Sequence, residues 1–161
     1  MDTTLVELFR HNQWANLRLL EACSDLTEKQ LDASVAGTYG RIADTLVHIL
    51  AVEERYVTQL TGNAPERSLR ESAGFPGLEE LHARAQSSGE SLIKIAERDP
   101  FAEVLHGSYQ EEPYSIRAVV PLVQAIHHAS EHRTQVLTIL SQQGIEPPDL
   151  SGWAFGDAMG Y

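Results

Sequence analysis

The chain has 161 residues, 42 % apolar and 22 % charged, the balance of a soluble globular protein with one hydrophobic core. Its formal net charge is −11, from 12 Lys+Arg against 23 Asp+Glu, so nucleic acid and anionic membranes are excluded as expected partners. The start Met1-Asp2-Thr3-Thr4-Leu5 lacks the basic and apolar runs of a signal peptide, no stretch is long and apolar enough to span a bilayer, and the lone Cys23 cannot form an internal disulfide. One domain over residues 1–161 in a reducing cytoplasm is the expectation.

Apolar periodicity predicts four helices and no sheet. The first runs from about Thr4 to Cys23, with Leu5, Leu8, Ala15, Leu19 and Ala22 recurring at three- and four-residue steps. Cys23 has no basic neighbour and reads as a small packing residue. The second helix runs from about Gly40 to Leu60 and ends at Thr61-Gly62-Asn63. The third, from about Leu78 to Arg98, has a weaker apolar row and a stop at Asp99-Pro100. The fourth, from about Ile116 to Gln143, stops at Gly144. Pro121 lies inside it and requires either a start near Val119 or a kink. Residues 101–114 could hold a short hairpin. The tail Leu150 to Tyr161, with Trp153, Phe155 and Tyr161 among glycines, is expected to pack on the bundle as irregular structure. The fold class is therefore all-α, a four-helix bundle with long inter-helix connections whose order the sequence leaves open.

The chemistry concentrates in the histidines. His128 and His132 are four residues apart, which places two imidazoles about 40° apart around the helix and about 6 Å apart along it. That spacing lets them share one metal ion. Gln124 and Gln135 continue the same polar stripe and are candidate substrate partners. His48 lies among Val47, Ile49 and Leu50 on another helix, and bundle metal sites are built from facing helices. His48, His128 and His132 thus form a candidate three-histidine site for one divalent transition metal ion: Zn, Ni, Fe or Mn. Asp44, one turn before His48, could orient its ring or simply cap the helix dipole. His11 is a reserve ligand, His127 points to another face, and His82 and His106 read as surface or loop residues. Arg133 could hold an anionic substrate group or form an ion pair. His128-Ala129-Ser130-Glu131-His132 also spells the inverted zinc-protease motif, with Glu131 as base. The only acids downstream, Glu146, Asp149 and Asp157, lie in a Pro/Gly-rich tail and suit that chemistry poorly.

Three stretches resemble one family. Residues 40–54, GRIADTLVHILAVEE, resemble the second helix of DinB/YfiT-like proteins. His127-His128-Ala129-Ser130-Glu131-His132-Arg133-Thr134-Gln135 resembles their last-helix signature, and Phe9-Arg10-His11-Asn12-Gln13-Trp14-Ala15-Asn16 resembles their first helix. The tail Pro147-Pro148-Asp149-Leu150-Ser151-Gly152-Trp153 is similar as well. The resemblance implies a metal-binding four-helix bundle, often a homodimer, with His48, His128 and His132 as the ligands. Family members include metal-dependent thiol S-transferases. The expectation is a mononuclear metal-dependent enzyme acting on a small molecule, a thiol S-transferase using a low-molecular-weight thiol or a hydrolase. The alternative is a non-catalytic metal- or small-ligand-binding or stress-response protein with the same site.

Overall fold

A computed structural model describes residues 4–98 and 100–161; Asp99, half of the expected stop of the third helix, lies outside them. The main helices are α1 (Thr4–Ala22), α3 (Ile42–Thr61), α4 (Leu78–Glu97) and α5 (Val119–Gln142), with a single-turn α2 (Glu28–Leu31) between the first two. Thr27 caps α2 through a capping box with Gln30. Gly62, at φ 74°, closes α3 in the left-handed conformation and returns its N–H to the Thr58 carbonyl. α1 packs on α4 and α5, and α3 packs on the same two helices. Gly89 permits the α1–α4 approach, since a Cβ there would come within 2.5 Å of the Gln13 Cγ.

Two apolar clusters fix the helix directions. One joins Leu19, Leu20 and Cys23 of the α1 end to the starts of α3 (Leu46, Leu50) and α4 (Leu81, Ala85) and the last turns of α5 (Val136, Ile139, Leu140). The other joins Val6 and Phe9 of the α1 start to Leu60 at the end of α3, Leu92 and Ile95 late in α4, and Leu122 early in α5. α1 and α5 therefore run one way and α3 and α4 the other. The long link over residues 62–77 carries the chain back between the parallel pair α3 and α4, as long crossovers allow.

A buried polar layer divides the clusters. Glu53 accepts hydrogen bonds from Asn12 (2.9 Å), Asn16 (3.1 Å) and Ser88 (2.5 Å). The Arg133 Nη1 donates to the Oδ1 atoms of the same two asparagines, 2.7 Å each. The amides thus bridge a buried anion and a buried cation and tie all four long helices together. Burial raises the Glu53 pKa against these bonds, and it lowers Arg133 to about 10 against the pull of Glu53.

Two readings left open are resolved, and one expectation is corrected. The fourth helix begins at Val119, so Pro121 sits in its first turn, where no intrahelical donor is needed, and no kink is required. Residues ahead of it form an antiparallel hairpin, β1 (Val104–Tyr109) and β2 (Glu112–Arg117), in register from Val104↔Arg117 to Tyr109↔Glu112. Its two-residue turn, Gln110-Glu111, has positive φ at both positions, the geometry that matches strand twist. The tail is helical over Gly152–Met159 (α6), capped by the Ser151 hydroxyl on the Ala154 N–H. Phe155 packs edge-on against His11 and Trp14 of α1, while Trp153 stays 88 % exposed.

Candidate metal centre

On α3 the buried run Leu46, Val47, Ile49 and Leu50 holds the helix in the bundle and leaves His48 half-buried. On α5, buried Ala129 and Val136 do the same, with His128 half-buried and His132 8 % exposed. The two helices pack together, and the three imidazoles meet, with ring centroids 4.5–4.8 Å apart. One nitrogen from each ring lies within 4.8 Å of the others, a group that could hold a metal ion. The His48 and His128 Nε2 atoms are 3.0 Å apart.

Two of the rings are oriented from outside. The Glu71 carboxylate can only accept, so its Oε2, 3.0 Å from the His48 Nδ1, puts the ring proton there and leaves the Nε2 lone pair facing His128. Gln135 performs the same service for His132. Its Oε1 accepts the Tyr39 backbone N–H at 2.8 Å, which fixes which end of the amide is oxygen, and it lies 3.1 Å from the His132 Nδ1. The His132 proton therefore sits on Nδ1 and its Nε2 is free to ligate.

The surroundings are aromatic and polar. The Tyr39 ring stacks on His48 at 4.0 Å, and the Tyr56 ring stands edge-on to His128 at 6.3 Å. Tyr39 donates its phenol to Glu71 Oε2 at 2.5 Å, which pushes the phenol up to about 12 and holds the carboxylate below its ordinary range. Arg55 pairs with the second Glu71 oxygen at 3.3 Å. Burial lowers the pKa of His48. It lowers His128 to about 4, with the neighbouring His132, His48 and Arg55 acting in the same direction. Both rings are thus neutral at neutral pH, the form that binds metal. Cavities of about 280 Å³, beside Tyr39, Val47 and Glu71, and about 380 Å³, beside Arg55, Arg70 and Glu71, flank this carboxylate. A cavity of about 670 Å³, bordered by Arg67, Arg70, Glu80 and Arg84, holds none of the three histidines.

Other candidate residues fall elsewhere. Asp44 chelates the Arg41 guanidinium at 2.7 and 2.8 Å and does not orient His48. His11 bonds the Leu150 carbonyl at 2.9 Å and is no reserve ligand. Arg133 is spent in the buried layer on Asn12 and Asn16, so the substrate-anchoring role does not survive. Glu131 is exposed. Gln124 is exposed at the edge of the site, where it bonds the side chain of Tyr56 beside His128. Asp149 accepts the Ser151 N–H at 2.8 Å rather than joining the histidines. His82 and His127 are exposed, and His106 lies on β1 against the Ser115 hydroxyl at 2.7 Å. Cys23 is buried, with its thiol pushed up to about 12 by burial, as a packing residue requires. Glu71 and Tyr39 carry no sequence signal, because they sit on loops where helical spacing says nothing.

A four-helix bundle with three histidines gathered from α3 and α5 defines the class: a helical-bundle protein with a candidate mononuclear metal centre. The sequence profile of the DinB family matches residues 1–158, and the chain belongs to the DinB family. A solved DinB-like protein from Bacillus cereus ATCC 10987 superposes with a TM-score of 0.69 at 13 % identity, over 90 % of this chain and 94 % of that one. At that identity the likeness shows the fold, and it agrees with the expected all-α bundle. A comparison with curated proteins finds no match. Among the described residues no helix is long and apolar enough to cross a membrane.

Proposed function

We propose that the chain is a mononuclear metal-dependent enzyme acting on a small molecule, with His48, His128 and His132 as ligands and thiol S-transfer as its reaction. The observation that carries this reading is the convergence of three imidazoles, two of them with tautomers fixed by Glu71 and Gln135. Three protein ligands leave coordination positions open, as in catalytic rather than structural sites. A divalent ion held there would act as a Lewis acid and lower the pKa of a thiol or water brought to it. The setting favours reactivity over a sealed structural ion, because Tyr39, Tyr56, Glu71 and Gln135 surround the rings in place of an apolar shell. Tyr39 and Tyr56 would bracket a small substrate, and Glu71 and Gln135 would hold the ligand rings in place. Thiol transfer is placed ahead of hydrolysis on the resemblance to thiol S-transferases.

The test uses the Co(II)-loaded chain and a panel of low-molecular-weight thiols. A thiol that reaches the centre brings a sulfur-to-cobalt charge-transfer band and shifts the d–d bands. His128→Ala abolishes that response together with conjugation to a model electrophile. A panel that leaves the cobalt spectrum unmoved would remove the transferase reading for those thiols and put hydrolysis or ligand binding ahead. Activity that survives complete metal removal would contradict both metal-dependent reactions.

A further inference from the structure

Two loops on either side of α3 meet over His48. Tyr39 comes from the segment before the helix, and Glu71 opens a 3-10 turn (Glu71–Ala73) after it. The Tyr39 ring lies nearly parallel to His48, 19° between planes, and stands edge-on to His132 at 5.3 Å. Its backbone N–H is held by Gln135 and its phenol by Glu71. Tyr39 therefore touches the supports of two ligand rings and lies against both rings, yet it remains 45 % exposed. An aromatic ring that merely filled the core would be buried; this one is fastened by polar bonds to the outside of the site. Its loop is open to solvent on the glycine side. Gly37 sits at φ +88°, where a Cβ would meet nothing within 4 Å, and a Cβ on Gly40 would meet only Asp44, at 3.8 Å. The base of the loop is anchored separately, by the Ile42 N–H on the Ala33 carbonyl and the Thr38 hydroxyl on the Val35 carbonyl.

The geometry points to a latch: Tyr39 and Glu71 close the two loops over His48 and govern entry and exit of the metal ion. This rests on His48, His128 and His132 being a metal centre. Opening breaks the phenol–carboxylate bond and lifts the ring from His48 without displacing any ligand. Loss of the latch therefore accelerates uptake and release together and changes the equilibrium affinity much less than either rate.

Stopped-flow transfer of Zn(II) from the loaded chain to excess chromophoric chelator measures release, and Zn(II) binding by the metal-free chain measures uptake. Tyr39→Phe keeps the stack and loses the bond to Glu71. Both rates should rise, by roughly ten- to hundredfold for a hydrogen bond to a charged group, and Tyr39→Ala should raise them further. Unchanged rates in both variants would overturn the latch. So would faster release alone with a matching loss of affinity, which would make Tyr39 a positioning residue for His48. If the parent chain takes up no Zn(II), the metal centre itself is wrong and the latch falls with it. Uptake of Zn(II) with latch-independent rates sinks the latch alone.

Discussion

Glu71 accepts from Tyr39, His48 and Arg55 at once, and a carboxylate on the far ring nitrogen raises the basicity of the ligating one. Glu71→Gln keeps the shape and removes the charge. Calorimetric titration should then show metal affinity roughly 10- to 100-fold weaker with stoichiometry unchanged. An affinity equal to the parent would mean that packing alone orients His48. At this scale the three histidines were legible because helical spacing locks i and i+4 onto one face, and because a lone histidine within an apolar run is conspicuous. Their supports were only half legible. Gln135 lies on the same helical stripe as His132, three residues on. Glu71 is 23 residues from His48 in the chain, and no local period connects them.

The four long helices share one polar layer, and Arg133 is its only cation among the described residues that compose it. Truncating it strands Glu53 in the interior without a counter-charge. Arg133→Ala should cost about 3–5 kcal/mol, the range for breaking a buried pair, read as a lowered denaturant midpoint. Adding Glu53→Gln to that variant should recover part of the loss, since no buried charge then remains. A midpoint within error of the parent for Arg133→Ala would contradict the layer's structural role. The helices themselves were legible from 3.6-residue periodicity to within a few residues. The hairpin was legible only as a possibility over residues 101–114, not in its register, because Gln110-Glu111 takes the left-handed conformation without the Asn-Gly or Asp-Gly signal that marks such turns. α6 was hidden by its glycines, which lower helix propensity; the Ser151 cap and the burial of Phe155 supply what propensity lacks. Arg133 is easily misread, because a charge next to a candidate ligand looks functional until its helical face is known.

At the scale of the whole molecule, the same histidines are expected to make stability depend on pH. In the metal-free chain the folded His128 titrates at about 4, and His48 below its ordinary 6.5, both held down by burial. The unfolded chain takes up these protons from about pH 6.5 downward and the native state does not, so stability rises with pH across that window. Stability is full above about 6.5 and is lost progressively as pH falls toward 4. Thermal melts of the metal-free chain should show this drop, and His128→Gln should flatten it; an identical slope in the variant would contradict the assignment. With metal bound only to the native state, the melting temperature rises by mass action, and a chelator at neutral pH should lower it. Helix directions belong to this scale too. The order of α1, α3, α4 and α5 was open in the sequence because long links permit several arrangements, and it became fixed only where apolar residues from both ends of each helix sort into two clusters.

The proposed metal centre sets three histidines from two helices around one ion. Metal content of the purified chain after equilibration with Zn(II) and removal of free ion tests it most directly. One equivalent is predicted for the parent, His82→Ala and His106→Ala, with loss of the ion in His48→Ala, His128→Ala and His132→Ala. Equal content in all five variants, or none in the parent, would contradict it.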